Sequence, residues 1–317
     1  MEIMSAPVPR AASYEIVLVT YFSRVELAGF LAGIERDIPI VVVDNCEGAD
    51  HVDELLADRP FARYISGPAR GFATAANIGV RTSAYDVVIF ANPDTRPTSD
   101  TFRALVACIQ EDRTVGACAA ATTDETGRIE FGVGGWEPTL ARALAHSVGL
   151  HRLWPRIGLW ARPALGEDTR LDWLTGACLA VPRALFIDVG GFDERYFVYG
   201  EDVSYGRTLR QLGYKQLLRT DLTVPHGGAG SGGDRSTLMQ LRGASMTSYL
   251  RRHNSRARAD VIRIVLALGS AARLLVFSRR RPRAKDEWSY LYGLVVGPPS
   301  IAKEAAATAV DASVDGQ

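Results

Sequence analysis

The sequence carries no excess of either charge, since 36 Lys and Arg are balanced by 36 Asp and Glu over 317 residues. Nucleic-acid binding by the chain as a whole needs a basic surplus, and that surplus is missing. Cysteine is scarce. Cys46, Cys108, Cys118 and Cys178 form no C-x-x-C pair, and no histidine stands at zinc-finger spacing. They read as small core hydrophobes in a reducing compartment, which argues against a disulfide scaffold and a structural zinc site. The opening residues MEIMSAPVPRAAS lack an apolar core behind positive charge, so no secretory signal is expected and a cytosolic location follows. The longest mostly apolar stretch, 261–277, is short for a membrane span and is interrupted by Arg263 and Arg273. No internal repeat is evident. The Gly-rich run 227–233 (GGAGSGG) lacks the Lys-Ser/Thr of a nucleoside-triphosphatase loop, and no βαβ dinucleotide unit is built around a GxGxxG. These absences argue against kinases and dehydrogenases.

What is present is a hydrophobic fraction of 47%, enough for a large core, arranged in a repeating order. Continuous β-branched and aromatic runs at 15–22, 39–45 and 86–91 have the composition of strands buried on both faces. A further strand is expected at 62–66, with helices at 25–36, 52–57 and 72–82. The alternation continues through a helix at 101–111, a strand at 115–121, a turn at 124–127 leading into 128–133, and strands at 172–181 and 215–225. Strand and helix in regular alternation predict a doubly wound α/β sheet, with ligand chemistry at the carboxyl ends of its strands. Between 134 and 168 the pattern breaks into Gly, Pro and Trp around a short helix at 140–148. A long irregular insertion in a compact domain is usually functional, and this one reads as a lid or acceptor loop.

Polar residues collect at the expected strand ends: Thr20-Tyr21, Asp44-Asn45 and Asn92-Pro93-Asp94. Ordinary turn chemistry accounts for each taken alone. A mouth lined by carboxylates repels a bare phosphate, so Asp94 fits a phosphate ligand only through a divalent cation with oxygen ligands, Mg²⁺ or Mn²⁺. His226, at a strand end before the Gly-rich run, is a candidate to complete that coordination. Gly176 and Ala177 are small residues that let a backbone approach closely. Glu201-Asp202 follows a Gly-Gly turn and an aromatic ridge at Phe192, Tyr196, Phe197 and Tyr199, and opens a helix, where carboxylates sit well against the helix dipole.

From Ser236 onward the chain reads as helices without strands. Between Arg251 and Lys285 there are eleven Lys or Arg and one acid, Asp260, so this segment carries +10 and the remainder −10. Arg256, Arg263, Ser270 and Arg273 share one side of a helix, and RRRPR follows at 279–283. The expectation is an interfacial helix with its basic side on anionic lipid; a core-packed helix with a solvated basic side is the competing reading.

Taken in order, Thr20-Tyr21, Val43-Asp44-Asn45, Arg70-Gly71-Phe72 with Asn77 and Gly79, Asn92-Pro93-Asp94, Trp173 to Ala177, Gly190 to Asp202, and His226 with Ser231 resemble the family 2 glycosyltransferases, in particular the bacterial rhamnosyltransferase branch. The resemblance implies a GT-A type α/β fold of doubly wound mixed sheet, with a C-terminal helical extension. The resemblance covers roughly Tyr14 to Asn254; with the change of character at Ser236 and the composition of the ends, the expected organisation is a catalytic domain at 14–235 and a basic, membrane-facing helical extension at 236–301, between disordered tails at 1–13 and 302–317. The resemblance implies inverting, metal-dependent transfer of a sugar from a nucleotide sugar, dTDP-rhamnose, to a glycan or polyprenyl-diphosphate-linked acceptor in cell-wall synthesis, at the inner face of the plasma membrane. Thr20, Tyr21, Asp44, Asn45, Arg70, Gly71, Asn77 and Asn92 would serve the nucleotide. Asp94 and His226 would hold Mg²⁺ or Mn²⁺, and Trp173, Gly176, Ala177 and Tyr199 would shape the sugar and acceptor pocket. Asp202 would be the general base, supported by Glu201. The sequence departs from the family pattern at Cys46-Glu47, at Arg70 where Asn is common, and at Ser204 where a third acid often stands. The donor is what these departures put in question. Another nucleotide sugar, a natural-product aglycone as acceptor, or a catalytically silent sugar-nucleotide binding protein stay open as alternatives.

Overall fold

The computed structural model describes residues 13–227, 234–277, 281–300 and 302. The chain begins with β1 (Tyr14–Thr20), α1 (Arg24–Ala32), β2 (Ile40–Asp44), β3 (Ala62–Ser66), α2 (Phe72–Thr82), β4 (Val87–Ala91), α3 (Ser99–Glu111) and β5 (Val115–Thr123). The irregular middle holds β6 (Gly134–Gly135), α4 (Leu140–Ser147), β7 (Thr169–Arg170) and β8 (Trp173–Leu174). Then come β9 (Cys178–Pro182), α5 (Arg183–Asp188), α6 (Glu201–Gln211) and β10 (Lys215–Pro225). Three helices close the described chain: α7 (Arg235–His253), α8 (Arg256–Phe277) and α9 (Arg281–Val295).

The main sheet runs β3-β2-β1-β4-β9-β5-β10-β7. β1 pairs parallel with β2 and β4, so Thr20 lies beside Asp44 and the ends of all three strands share one edge. β9 enters antiparallel between β4 and β5, which brings its start, Cys178, beside the end of β4 at Ala91. Strand periodicity splits the core in two: Ile16 and Leu18 face Phe30, Phe102 and Leu105 on one side. Val17 and Val43 face Ala73, Ala76 and Val80 of α2 on the other, in a cluster that also holds Phe186, Phe192 and Tyr205.

Several expectations are corrected by tertiary contacts. Residues 172–181 do not form one strand. Thr175 to Ala177 interrupt it, because the Ala177 carbonyl accepts from the Asn92 N–H at 3.0 Å and Gly176 lies against the Phe72 ring. Residues 128–133 make only an isolated bridge, Thr123 to Ile129, and the segment at 52–56 is a 3-10 helix. The largest correction concerns α8. Its polar side turns inward: Ser270 is fully buried and donates to Glu287 Oε2 at 2.6 Å, Arg273 donates to Glu287 Oε1 at 2.8 Å, and Arg263 pairs with Asp260 at 3.3 Å. A shielded cation is tolerated when a carboxylate neutralises it, and α9 brings Glu287 to do so. The face left exposed is apolar, with Ile264, Leu268 (65% exposed) and Leu275 (81%), and Trp288 and Val295 on α9. α7 and α9 touch at Gly243 and Gly293, where added Cβ atoms would strike backbone. α4 of the insertion lies on α8, and Ser147 Oγ donates to the Val265 carbonyl at 3.0 Å. Of the long loop after β10, Gly227 and Asp234 are described; the rest of the Gly-rich run, with Ser231, Arg279 and Arg280, falls outside the described residues, as do both chain ends assigned to tails apart from Ser13 and Ala302.

Candidate active site

The ends of β1 and β2 form a closed knot. Asp44 Oδ1 accepts from Thr20 Oγ1 at 3.3 Å and Cys46 N–H at 3.1 Å, and Oδ2 accepts from Gly48 N–H at 2.6 Å and Tyr64 O–H at 3.1 Å. Burial by itself raises this carboxyl, but the hydrogen bonds from Cys46, Gly48 and Tyr64 outweigh burial and hold it below the usual range. Asp44, Cys46 and Asp50 lie close enough to suggest a metal cluster. Burial and the two carboxylates push that thiol up to about 11, and Asp44 is already engaged by four donors. Asp44 therefore fixes the loop after β2. The Oδ1 of the neighbouring Asn45 is buried and has no hydrogen-bond partner among the described residues, a free acceptor at this strand end. Tyr21 packs edge-on against Phe22 beside it.

A second cluster stands at the ends of β4 and β10. Thr95 bridges His226, and the Gly227 N–H donates to the Asp94 carbonyl at 2.9 Å. These contacts set His226 Nε2 at 3.2 Å from Asp94 Oδ2 and His226 Nδ1 at 2.6 Å from Glu130 Oε2. Burial lowers the imidazole, yet the hydrogen bonds and charges of Asp94 and Glu130 overcome that and push it up to about 10. A carboxylate oxygen and an imidazole nitrogen, the latter oriented from behind by a second carboxylate, is a donor set that fits Mn²⁺ or Mg²⁺. Asn92 reaches this edge through its backbone bond to Ala177.

The third group is the Glu201-Asp202 pair. Asn77, expected at the nucleotide, is spent elsewhere: its Nδ2 donates to the Phe192 carbonyl at 2.8 Å and its Oδ1 accepts from the Phe192 N–H at 2.9 Å. Gly71, at φ +93°, faces the Phe197 carbonyl so closely that a Cβ would collide with it, and the Phe72 N–H donates to that carbonyl at 2.8 Å. Arg70, just before Gly71, stands at the same end of α2. So α2 clamps the loop at 192–197. That loop then makes two left-handed steps, Tyr199 at φ +64° and Gly200 at φ +93°, before α6 begins. A non-glycine residue held left-handed beside a candidate site is local strain of the kind functional loops retain.

The turn delivers Asp202 with its Oδ1 accepting from Gly200 N–H at 3.2 Å and Val203 N–H at 2.8 Å. Burial raises Asp202, opposed by those N–H donors and by the charge of Arg242. Glu201 is raised further, by burial and then by the neighbouring Asp202, and its Oε2 has no hydrogen-bond partner among the described residues. Burial raises both carboxyls, but Asp202 has the Gly200 and Val203 donors and the charge of Arg242 opposing it, where Glu201 has one backbone donor, so Asp202 is the more acidic of the pair.

Asp202 opens into a pocket walled by Trp136 and Trp160 from the insertion, Trp173 and Thr175 around β8, and Tyr199. Its remaining wall is α7, through Arg242, Ser245, Met246 and Tyr249. One residue locks these elements together. Glu137 Oε1 accepts from Arg207 at 2.7 Å and from the Tyr249 O–H at 2.7 Å, while Oε2 pairs with Arg210. Among the expected site residues, Trp173, Tyr199 and Asp202 meet in this pocket, Asp94 and His226 meet at the β4 and β10 ends, and Gly176 and Ala177 lie near the β4 edge. Glu130, Glu137, Arg242 and Tyr249 were not legible as site residues; Trp136 and Trp160 were signalled by the Trp-rich irregular insertion.

The family model for Glycosyl transferase family 2 matches residues 15–149. The N-acetylglucosaminyl-diphospho-decaprenol L-rhamnosyltransferase of Mycobacterium tuberculosis is 31% identical over 301 residues, which span 85% of this chain and 95% of that one. The rhamnosyltransferase WbbL of Escherichia coli is 26% identical over 148 residues, 44% of this chain and 54% of its own. A mannosyltransferase from Pyrobaculum calidifontis, solved with GDP-Man and Mn²⁺, superimposes with a TM-score of 0.56 at 17% identity, over 90% of this chain and 86% of that one. That likeness identifies the architecture as GT-A.

Proposed function

Because the chain belongs to glycosyl transferase family 2, and is therefore a glycosyltransferase, we propose that it transfers L-rhamnose from dTDP-L-rhamnose to an N-acetylglucosaminyl-diphosphate carried on a polyprenyl lipid. The rhamnosyl and lipid-linked parts of this reading draw on the mycobacterial relative, which matches nearly end to end. The observation that carries the chemistry is the Asp202 carboxylate, held through Oδ1 by the Gly200 and Val203 N–H groups and lining a pocket walled by Trp136, Trp160 and Trp173.

In the proposed reaction the acceptor hydroxyl oxygen attacks the anomeric carbon of the donor as the bond from that carbon to the diphosphate breaks, which inverts the centre in one displacement. Asp202 Oδ2, the oxygen not engaged by Gly200 and Val203, takes the hydroxyl proton, and dTDP leaves with the bonding electrons. Asp94 and His226 would hold the divalent cation, with Glu130 fixing the imidazole. When bound, that cation neutralises charge on the departing diphosphate. Asn45, with its unfilled Oδ1, would accept from the base or ribose. Trp136, Trp160 and Trp173 offer flat faces to the acceptor ring and exclude water from the reacting centre.

The seat of the enzyme is proposed to be an anionic membrane surface at the cytoplasmic face. No helix among the described residues is long and apolar enough to cross a membrane. What supports surface binding is the exposed apolar face of α8 and α9, flanked by the exposed Arg256, Arg258, Arg283 and Lys285. Apolar insertion and attraction to anionic lipid then act on one side of the protein.

The test is a panel of nucleotide sugars with Mg²⁺ or Mn²⁺ and an N-acetylglucosaminyl diphosphoprenol, reading the released nucleoside diphosphate. Release of dTDP from dTDP-L-rhamnose, dependent on metal and acceptor, is expected. Preference for a UDP or GDP donor would overturn the donor assignment, and no consumption of any donor would overturn the whole reading.

A further inference from the structure

α7 lies outside the stretch matched by the family model, yet it forms a full wall of the pocket that contains Asp202. Arg242, Ser245, Met246 and Tyr249 recur at spacings of three and four, so one face of the helix is turned into the pocket. Arg242 is the cation of that face. Its guanidinium sits 4.8 Å above the Tyr199 ring, which fixes its position through a cation–π contact and leaves its N–H edges unused. Among the described residues no carboxylate forms an ion pair with it, whereas Arg207 and Arg210 nearby are both consumed by Glu137. The charge of Asp202 reaches Arg242 through the pocket, but no carboxylate among the described residues is within ion-pair distance, and a half-buried guanidinium so placed is suited to an anion that arrives with the ligand.

Resting on the reading of the acceptor as a sugar diphosphate on a lipid, we infer that Arg242 receives the acceptor's diphosphate, and that α7 is therefore the element that recognises the lipid-linked form of the sugar. A pyranose carries its attacking hydroxyl and its anomeric diphosphate on different edges of the ring. With the hydroxyl at Asp202 and the ring against the tryptophans, the anionic edge falls to α7. Asp94 and His226, the candidate holders of the donor's diphosphate, are not among the residues lining this pocket, and the donor KM in the experiment below separates the two diphosphates. Arg is better matched than Lys to this task, because its planar fork binds two phosphate oxygens at once.

The experiment compares wild type with Arg242→Gln, which keeps bulk, and Arg242→Lys, which keeps charge, on two acceptors. One is an N-acetylglucosaminyl diphosphate on a short prenyl chain; the other is an alkyl N-acetylglucosaminide without phosphate. Loss of a charge-assisted hydrogen-bonding partner predicts that Arg242→Gln raises KM for the diphosphate acceptor roughly 10- to 100-fold, with a smaller rise for Arg242→Lys. KM for the neutral acceptor and for the donor should move by less than about threefold, within the range of rearrangement at a mutated site. Equal rises for both acceptors, or a rise in donor KM instead, would overturn the inference. Wild-type protein that glycosylates neither acceptor would overturn the functional reading, and the inference with it. Thermal melts of the variants establish that they are folded, and the charge-conserving variant supplies a second test if the neutral one is not.

Discussion

Asn77 and Phe192 are hydrogen-bonded in both directions, side-chain amide to carbonyl and backbone N–H to side-chain oxygen, so a helix residue stands in for a β-partner to the loop that ends at Asp202. Replacing Asn77 by Ala strands two buried backbone groups, which costs about 1–3 kcal/mol each when a partner is removed. Asn77→Ala should lower the melting temperature and reduce kcat while leaving the Kd for the nucleotide donor unchanged. Weakened donor binding would instead return Asn77 to the nucleotide site.

Asp202→Asn should retain donor affinity and lose roughly 10²- to 10⁴-fold in kcat, the usual range for a positioned base. The acidic limb of the wild-type pH–rate profile should lie above the ordinary Asp range, because burial raises Asp202. A variant that turns over at the wild-type rate would remove Asp202 from the reaction.

Glu201 binds its proton more tightly folded than unfolded. Its contribution to stability is complete below the ordinary Glu value and declines as pH rises toward the folded value, because the unfolded chain then holds fewer protons than the native one. Urea melts taken upward from the ordinary Glu value should show wild-type stability falling by up to about 1.4 kcal/mol per pH unit from this group. Glu201→Gln should remove that component, and equal slopes for the two proteins would contradict a neutral Glu201.

Glu130 touches no proposed substrate, but it orients His226. Glu130→Gln should weaken Mn²⁺ binding by roughly 10- to 100-fold, as loss of an outer carboxylate behind a histidine ligand does elsewhere. Titration of Mn²⁺ in the presence of dTDP reads this directly. His226→Ala should weaken it further, and unchanged Mn²⁺ affinity in both would move the metal away from Asp94 and His226.

Leu268→Glu with Leu275→Glu places charge on the exposed face of α8. Sedimentation with anionic vesicles should fall sharply, while stability changes within about 0.5 kcal/mol, as for exposed positions generally. Retained sedimentation would show that this face does not meet lipid.

Much of the scaffold was legible because strands buried on both faces must be continuously apolar: β2 and β4 lie within the runs expected at 39–45 and 86–91. What escaped was set by distant partners. His226 gave a signal, but Glu130, 96 residues away, gave none until β10 and the turn after β5 were brought together. The outward face of α8 was misread for the same reason. Periodicity locates a stripe of Arg256, Arg263, Ser270 and Arg273, and only the presence of Glu287 on α9 decides that Ser270 and Arg273 face in while Arg256 stays exposed. Asp44 and Asn45 likewise look alike as strand-end polar residues, and the hydrogen-bond count alone separates the one that holds a loop from the one left open.

The close seam of α7 and α9 at Gly243 and Gly293 bears on how such enzymes can be recombined. One side of α7 walls the pocket and the other is locked to its neighbouring helix, so it cannot be exchanged as an independent cassette. A chimera joined at residue 235, where the strand-and-helix body ends, would take Trp136, Trp160, Trp173 and Asp202 from one parent and the α7 side of the pocket from the other, across a seam neither had fitted. A truncation at that point would leave the pocket open on the side that α7 closes.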